Sequence, residues 1–416
     1  MKISIVIPTR NRSEFLKYCL ETCLAASDPD IEVVVSDNNS IDETRAVVAE
    51  FTDQRLTYVN PGADLSMRQN FEFALSHATG DYVIFIGDDD GVVPNGIATL
   101  RYLINKFHPD IITWRHITYI WPHIEPAPTE GVLKFRYRDF CGPVYKLDPK
   151  QILLDFYRAR ITSYRDGANI YHGCVSRAVI DKIKSKGGEY FQGQIPDVNT
   201  ALSNLTAASN LLWVRNPVTI AGAGEKSNGT AMNAPIKITE SQEKIADSFT
   251  ELAQTDKIQP EIDLRIRSIP AYVYANLMRI NQDHLNNKYE IDHAAWRDII
   301  VKDMHKFTKK NRCWSVLEDF FAQSDQNYVR QNLTDPPGIT EDAAVPSGSV
   351  TKSKRKRKSL ISPEDRENVA TVVRWIQAVT GKPYFPPENR VLAFAVQLIK
   401  SVEMRANVKT LGGSGK

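Results

Sequence analysis

The feature that most constrains this chain is a short apolar segment that ends in three consecutive acids. Residues 82–86 are β-branched or aromatic, and after Gly87 come Asp88, Asp89 and Asp90. A run this short is typical of a strand buried on both faces rather than of a helix. In α/β proteins ligands bind beyond the carboxyl ends of the strands, which is where this strand would deliver its carboxylates.

Three adjacent carboxylates repel one another, so their surroundings must favour the charged forms. A hard divalent cation, with diphosphate oxygens among its other ligands, would do so. An acidic turn in contact with water is the alternative, and the triplet taken alone does not separate the two.

Length and composition limit the class of protein. The 416 residues, 42% apolar and 25% charged, predict a soluble globular protein of more than one domain. The net charge of +2 gives no indication of a nucleic-acid partner, and none is predicted. Five scattered cysteines, no signal-peptide pattern and no apolar run of about 18 residues predict a reducing, cytoplasmic setting.

The first part of the chain alternates between strand and helix patterns. The strand patterns lie at residues 2–8, 31–36, 56–59, 82–86 and 110–114. Such alternation predicts a parallel sheet with right-handed crossovers, and a nucleotide-binding domain of Rossmann type is the leading fold. Yet no GxGxxG follows the first strand and no complete P-loop motif occurs, so a diphosphate would need another partner. The three acids, acting through a metal, supply one.

Five short motifs follow one another along this region. They are Pro8-Thr9-Arg10-Asn11-Arg12, Ser36-Asp37-Asn38-Asn39-Ser40, Arg68-Gln69-Asn70, Ala78-Thr79-Gly80-Asp81 and Gly87-Asp88-Asp89-Asp90. In order and spacing they resemble the inverting family 2 glycosyltransferases, closely over about residues 1–110 and loosely to about 230. The resemblance implies an α/β protein of the GT-A fold: a Rossmann-like, mostly parallel sheet in the N-terminal domain, followed by a helical C-terminal region.

The resemblance also implies which residues hold a nucleotide. The first turn would line the base, the acid after the second strand would accept hydrogen bonds from base or ribose, and an arginine would face the diphosphate or sugar. The implied set is Pro8, Thr9, Arg10, Arg12, Asp37 and Arg68, together with the acid triplet. An Asx turn after the second strand and a solvated helix arginine are the corresponding structural alternatives.

The family's metal motif usually has the pattern Asp-x-Asp-Asp, with a proline a few positions further on. Counting back from Pro94 puts Gly87 where the first aspartate often stands and Asp89 at the position that coordinates the metal. The implied ion is Mn²⁺ or Mg²⁺, with Asp89 and Asp90 as metal ligands and Asp88 beside them. Gly87 departs from the pattern, which leaves the role of the first acid open.

An inverting transfer also needs a base that takes the proton of the acceptor hydroxyl. Asp197 stands at the family's base position, although an aspartate at a helix start also fits a plain N-cap. Asp166 and Glu189 are the runners-up. His172 would touch the donor sugar or the acceptor, or else be structural. The glycine-rich loop 222–229 would be a lid over the donor or an ordinary surface loop.

The remaining sequence divides into helical and linker patterns. The predicted units are a catalytic domain at 1–234, a helical domain at 235–333, a basic linker at 334–363, a helical pair at 364–411 and a tail at 412–416. The helical pair is expected to pack on itself or in a homo-oligomer. Alternatively, the run of lysines and arginines at 352–358 and the apolar helix at 390–405 would contact an anionic membrane surface peripherally.

These features together predict an enzyme, a metal-dependent inverting hexosyltransferase. Its donor would be a nucleotide sugar, foremost a UDP-sugar, and its acceptor a glycan, glycoprotein or lipid-linked hydroxyl in cell-envelope polysaccharide synthesis. It would act in the cytoplasm or on the inner face of the membrane. Two other functions remain open. A nucleotidyltransferase would need a glycine-rich basic loop that residues 9–12 do not supply, and a non-catalytic nucleotide-sugar- or glycan-binding subunit of an assembly complex has little need of clustered acids.

Overall fold

The computed structural model describes residues 1–122, 131–224, 226, 227, 229, 240–305, 314–321, 326, 367–387 and 390–412. The predicted linker at 334–363, including the basic run at 352–358, lies outside these residues, as do 413–416 of the predicted tail. The predicted domain boundaries near 234 and 333 also fall outside the described residues.

The strands form two sheets. In chain order they are β1 (Ile3–Thr9), β2 (Ile31–Asp37), β3 (Leu56–Val59), β4 (Tyr82–Phe85), β5 (Gly91–Val92), β6 (Ile111–Trp114), β7 (Ile117–Ile120), β8 (Val132–Lys134), β9 (Val144–Leu147), β10 (Gly173–Ser176), β11 (Leu211–Val214) and β12 (Thr219–Ala223). The larger sheet has the order β3-β2-β1-β4-β10-β6-β11-β9, and the smaller has the order β5-β12-β7-β8.

The larger sheet is mostly parallel, as predicted. Strands β1, β2, β3 and β4 pair in parallel, and so do β6 and β11. The antiparallel members are β10, which joins β4 to β6, and the edge strand β9. Because β1 and β4 are neighbouring parallel strands, the first turn and the acid triplet follow them at the same edge of the sheet.

Helices cover the sheets and form the C-terminal part. They are α1 (Ser13–Leu24), α2 (Thr44–Ala49), α3 (Met67–His77), α4 (Pro94–Phe107), α5 (Pro149–Tyr157), α6 (Arg177–Gly187), α7 (Pro196–Ala207), α8 (Glu240–Gln254), α9 (Ile269–Leu285), α10 (His293–Met304), α11 (Trp314–Phe320), α12 (Val369–Thr380) and α13 (Arg390–Gly412). Proline at the first position starts α4, α5 and α7, where its missing N–H costs no helical hydrogen bond. The helical C-terminal region is thus present as predicted.

The last two helices pack differently. Helix α12 buries its predicted apolar stripe, from Val369 to Val379, against α1 and the smaller sheet. Helix α13 buries Gln397 and Met404 but leaves Leu398 and Val402 more than half exposed. Within the residues that the structure describes, no helix has the length and apolar character to cross a membrane.

Candidate active site

A cavity of about 1180 Å³ opens at the carboxyl ends of β1 and β4. Its wall includes the first turn, residues 8–12, and Gly87 with the acid triplet, residues 88–90. The end of β12 and the start of α7 close other sides, so Asp197 lines the same cavity as the triplet. Strand topology therefore brings together residues from distant parts of the sequence at the edge where α/β proteins bind ligands.

Asp88 and Asp89 share one arginine. Arg12 Nη1 lies 3.0 Å from Asp88 Oδ1, and Arg12 Nη2 lies 2.7 Å from Asp89 Oδ2. Thr9 donates its hydroxyl to Asp88 Oδ2 at 2.6 Å, and Trp121 Nε1 donates to the carbonyl oxygen of Asp89 at 2.9 Å. Burial raises the pKa of Asp88 to about 7; the charge of Arg12 opposes the rise, and the neighbouring acids add to it. Burial likewise raises the pKa of Asp89.

Asp90 faces several donors at once. Gly222 donates its backbone N–H to Oδ1 at 2.7 Å, while Gly87 N–H and the Tyr171 hydroxyl donate to Oδ2 at 2.5 and 3.0 Å. His172 Nε2 lies 3.2 Å from the same oxygen. Burial acts to raise the pKa of Asp90, but His172 and the backbone donors outweigh it, so the pKa lies below its ordinary value. Asp90 therefore joins residues 87–90, here called the acid loop, to β12.

Oxygen donors of this kind suit Mg²⁺ or Mn²⁺, but the three acids do not suit them equally. Among the described residues, Asp88 Oδ1 is a buried oxygen without an aligned hydrogen-bond donor, and Asp89 shares its charge contact. Asp90, expected as a metal ligand, already accepts on both oxygens. The described residues hold no group of three or more His, Cys, Asp or Glu arranged to bind a metal ion. A metal here thus fits the pair Asp88 and Asp89, completed by oxygens from outside the protein.

Gly87 now has a physical explanation. A Cβ at this position would lie 2.7 Å from the Tyr171 hydroxyl and 2.9 Å from Asp89 Oδ1. Gly222 is constrained more strictly, because its Cβ would lie 1.8 Å from the backbone carbonyl oxygen of Asp89. A side chain at position 87, where the family pattern often has its first aspartate, would require the side chains of Tyr171 and Asp89 to shift.

The remaining nucleotide residues are placed unequally. Pro8, Thr9, Arg10 and Asn38 line the cavity. Asp37 is buried beside it, not in its lining, and accepts from Ser40 N–H, the Tyr58 hydroxyl and Asn60 Nδ2. The bond from Ser40 N–H is the turn predicted as the alternative, and Asn38, which is also buried, lines the cavity wall.

Arg68 lies away from the cavity lining. Its Nε and Nη2 donate to the two oxygens of Asp256, each at 2.7 Å, and its Nη1 pairs with Glu189 and with the carbonyl oxygen of Phe191. These contacts join α3 to the C-terminal helical region. A contact of Arg68 with diphosphate or sugar stays a prediction, and it would require this guanidinium to leave the protein oxygens that it faces. Glu189, a runner-up for the base, is occupied in the same cluster.

Asp197 sits at the start of α7, partly exposed to the cavity. Its Oδ1 accepts from the N–H of Val198 at 2.9 Å, and Tyr164 hydrogen-bonds to the carboxylate. Burial raises the pKa of Asp197, against the hydrogen bond from Tyr164 and the charge of Arg165. Asp166 is not part of the cavity lining. Of the three candidate bases, Asp197 is the one that lines the cavity.

His172 lines the cavity as well, held from both ring nitrogens. Its Nδ1 lies 2.8 Å from Thr219 Oγ1, its Nε2 faces Asp90, and its backbone is in the left-handed region with φ of 56°. The ring of His116 lies 4.8 Å from that of His172 in a tilted arrangement, and burial lowers the pKa of His116 to about 3. His172 is thus held by Thr219 and positioned to stabilise the carboxylate of Asp90.

Several residues of the site were not predicted from the sequence. Trp121, Tyr171, His116 and the backbone N–H groups of Gly222 and Gly224 all contact the acid loop or its neighbours. Gly222 and Gly224 belong to the predicted lid loop, of which residues 225 and 228 lie outside the described residues. Backbone donors carry no residue-type signal, so only the glycines themselves pointed to this loop.

Comparison with known proteins gives matches along the N-terminal region. The family model described as "Glycosyl transferase family 2" matches residues 4–169. The chain is 32% identical over 108 residues to a GalNAc(5)-diNAcBac-PP-undecaprenol beta-1,3-glucosyltransferase of Campylobacter jejuni, covering 25% of this chain and 35% of that protein. It is 27% identical over 119 residues to the poly(ribitol-phosphate) beta-N-acetylglucosaminyltransferase TarS of Staphylococcus aureus, covering 27% and 20%.

Solved structures match over a larger share of the chain at lower identity. Residues 1–349 of S. aureus TarS with UDP-GlcNAc are 13% identical with a TM-score of 0.44, covering 80% of this chain and 88% of that one. The mannosyltransferase PcManGT of Pyrobaculum calidifontis with GDP-Man and Mn²⁺ is 14% identical with a TM-score of 0.40, covering 80% and 85%. The chain spans less than half the length of the first four curated relatives.

Proposed function

We propose that this protein is an inverting glycosyltransferase, because residues 4–169 match the family model described as glycosyl transferase family 2 and part of the same region resembles curated glycosyltransferases. It moves a hexose from a nucleotide-diphosphate donor, foremost a UDP-sugar, to a hydroxyl group of an acceptor. The observation that carries the proposal is that Asp88, Asp89 and Asp197 line one cavity. Such a site has two halves. The donor half has carboxylates beside an arginine, and the acceptor half has a separate carboxylate.

The donor half of the site is the pair Asp88 and Asp89 with the first turn. We propose that this pair, rather than Asp89 with Asp90, holds Mn²⁺ or Mg²⁺, because the oxygens of Asp90 are occupied by protein donors. When bound, the ion supplies charge neutralisation for the departing diphosphate. Thr9 orients Asp88, and Trp121 and Gly224 hold Asp89, so the carboxylates are fixed before the donor arrives.

The acceptor half of the site is Asp197. Its carboxylate takes the proton of the acceptor hydroxyl as that oxygen attacks the anomeric carbon and the bond to the diphosphate breaks. Because burial raises the pKa of Asp197, its carboxylate is a stronger base than an exposed aspartate. Tyr164 and the N–H of Val198 fix its orientation at the head of α7.

The acceptor class is proposed from the relatives. Their names specify an undecaprenol-linked acceptor in one case and a poly(ribitol-phosphate) acceptor in the other. For this chain we propose a glycan or lipid-linked hydroxyl, in a setting of cell-envelope polysaccharide synthesis. Polar side chains that can hydrogen-bond to sugar hydroxyls line the cavity, among them Asn38, Asn169 and Asp197.

Calorimetric titration with UDP, with and without Mn²⁺, tests the donor half. The wild-type protein is expected to bind UDP more tightly with Mn²⁺, and Asp89→Asn to lose that gain. Asp197→Asn is expected to bind UDP–Mn²⁺ as the wild type does, while its transfer rate falls by about 10²–10⁴-fold. Donor hydrolysis and transfer across UDP-, GDP-, dTDP- and CDP-sugars supply the rate measurement.

The same titration separates the alternative functions. UDP binding that is indifferent to Mn²⁺ and to Asp89→Asn, with no turnover of any donor, would support a non-catalytic nucleotide-sugar-binding subunit. Release of diphosphate from a nucleoside triphosphate would indicate a nucleotidyltransferase. Near-normal transfer by Asp197→Asn would remove Asp197 as the base.

We further propose that the outer face of α13 contacts the membrane surface on its cytoplasmic side. Phe394, Leu398, Ile399 and Val402 are exposed there at helical spacing, which is a large apolar area for a surface to leave in water. Flotation of the full chain with anionic vesicles is expected, and the double variant Leu398→Glu/Val402→Glu should weaken it at least about tenfold. Ile41→Glu, at another exposed apolar residue, is the matched control. If the wild type does not float with vesicles but forms a dimer that the double variant loses, this face belongs to a homo-oligomer interface.

A further inference from the structure

Arg12 lines the cavity beside the two carboxylates that are proposed to hold the metal ion, and its own part in the transfer can be inferred from its contacts. Its guanidinium lies between Asp88 and Asp89, at 3.0 and 2.7 Å, with the side chain 14% exposed. A cation in this position neutralises the two carboxylates that are proposed to hold a metal ion. The positive charge of Arg12 therefore neutralises the same two carboxylates that a bound metal ion would neutralise.

The contacts of Arg12 are close but poorly aligned. Among the described residues, Arg12 Nε and Nη2 and Asp88 Oδ1 are buried atoms that lack an aligned hydrogen-bond partner. Since a guanidinium has five N–H donors in a fixed fork, unused donors in a buried position are unfavourable. Charge attraction, rather than a complete set of hydrogen bonds, holds Arg12 against the acids.

The cavity offers Arg12 somewhere else to point. Arg12, Asp88 and Asp89 all line it, and its volume of about 1180 Å³ leaves room for a side-chain rotation. A diphosphate bound there would present oxygens with the geometry that a guanidinium fork matches. A second orientation of Arg12, toward the phosphates, would thus use the donors that the first orientation leaves idle.

We propose that Arg12 is an exchangeable counter-cation for Asp88 and Asp89. In the nucleotide-free protein it neutralises the pair and competes with a divalent ion. When the donor binds, Arg12 turns to the phosphates and the carboxylates become available to the ion. This inference rests on the proposed function and adds a property to it: metal and nucleotide each bind weakly alone and strengthen one another, by the same factor in both directions.

The test is Mn²⁺ binding to the full chain without nucleotide, measured by electron paramagnetic resonance of free Mn²⁺ and by calorimetry. Arg12→Gln is expected to bind Mn²⁺ at least about tenfold more tightly than the wild type, because a positive charge about 3 Å from both ligands is gone. Arg10→Gln is the matched control, since Arg10 lines the same cavity but pairs with Asp64 at 3.0 Å. Its Mn²⁺ affinity should stay within about twofold of the wild type.

Thermal unfolding gives a second measurement. With Arg12 removed, two buried carboxylates lack a counter-charge, so the melting temperature of Arg12→Gln should fall in chelator and recover with Mn²⁺. The wild type and Arg10→Gln should show a smaller rise with Mn²⁺. If Arg12→Gln does not fold, Arg12→Lys is the deciding variant. The lysine side chain is shorter and ends in a single charged amine, so it should compete less well with Mn²⁺, and the Mn²⁺ affinity should exceed that of the wild type.

The outcomes distinguish this inference from the proposed function. UDP–Mn²⁺ binding in the wild type, with Mn²⁺ affinity unchanged or lowered in Arg12→Gln and Arg12→Lys, overturns the exchange and leaves the transferase. Absence of both UDP and Mn²⁺ binding in the wild type and all variants overturns the donor site, and the exchange with it. Tighter Mn²⁺ binding in Arg12→Gln together with weaker mutual strengthening by UDP supports the exchange.

Discussion

Arg12, which is half-buried, and Arg68, which is buried, each face two carboxylates, yet their surroundings differ. Arg68 donates from Nε and Nη2 to both oxygens of Asp256 and from Nη1 to Glu189 and the carbonyl oxygen of Phe191. Arg12 contacts Asp88 and Asp89 by charge, with Nε and Nη2 lacking aligned partners among the described residues. Every guanidinium nitrogen of Arg68 thus has a hydrogen-bond partner within the protein, whereas two nitrogens of Arg12 have none that is aligned in the described part of the chain.

The difference shows how one chemical group serves two purposes. A guanidinium whose three nitrogens all donate to protein oxygens is fixed, and Arg68 accordingly joins α3 to the helical region that contains Asp256. A guanidinium with idle donors at a cavity wall can serve a ligand, and only Arg12 of the two lines the cavity. Hydrogen-bond saturation, more than burial or charge, separates the structural arginine from the functional one.

The largest effect expected from this comparison is on stability. Arg68→Gln leaves the buried carboxylate of Asp256 without its partner, so the free energy of unfolding should fall by about 3–5 kcal/mol. The affinity of the folded variant for UDP–Mn²⁺ should remain within about twofold of the wild type, because Arg68 lies outside the cavity lining. Urea unfolding and calorimetry measure the two quantities.

Arg10→Gln is the matched control for Arg68→Gln. Its pair with Asp64 is partly exposed, so the loss in free energy of unfolding should be about 0–1 kcal/mol. The comparison would fail if Arg68→Gln kept its stability but lost nucleotide affinity. Arg68 would then face the donor, as the sequence motif originally implied.

The sequence could predict the frame of this site because strand patterns and acids are local signals. The alternation over residues 2–114 predicts the parallel strands, and the acids after β4 predict an anionic edge. Arg68 shows what local signals leave out. Its motif lies in the expected order, but its partner Asp256 is 188 residues away in a region without any motif. Only the tertiary fold reveals that its donors are already used.

The division of labour within the acid triplet was equally beyond the sequence. Asp90 differs from Asp89 because the N–H of Gly222 and the side chains of Tyr171 and His172 converge on it from β12 and from the segment before β10. Backbone donors have no residue type to recognise. The apolar stripe of α12 was visible as a helix face, but not the smaller sheet against which it packs.

A smaller effect distinguishes the two clusters by pH. Burial acts to raise the pKa of Asp256, but the hydrogen bonds and charge of Arg68 outweigh it, so this pKa lies below its ordinary value. Asp256 therefore contributes stability above the ordinary aspartate pKa, which is lost as the pH falls through the folded value. Burial raises the pKa of Asp88 to about 7 despite Arg12, so its contribution has the opposite sign.

Between the ordinary aspartate value of about 4 and about 7, folded Asp88 holds a proton that the unfolded chain has released, so stability falls as the pH rises through this window. Asp88→Asn cannot titrate and should lack that decline. Its free energy of unfolding, relative to the wild type, should increase from pH 4.5 to pH 7.5 in urea unfolding without metal. For Asp256→Asn the same difference should show no such increase, because Asp256 is already ionised in both states over this range. A pH-independent difference for Asp88→Asn would mean that Arg12 keeps Asp88 ionised as Arg68 keeps Asp256, and the contrast between the two arginines would then rest on hydrogen-bond geometry alone.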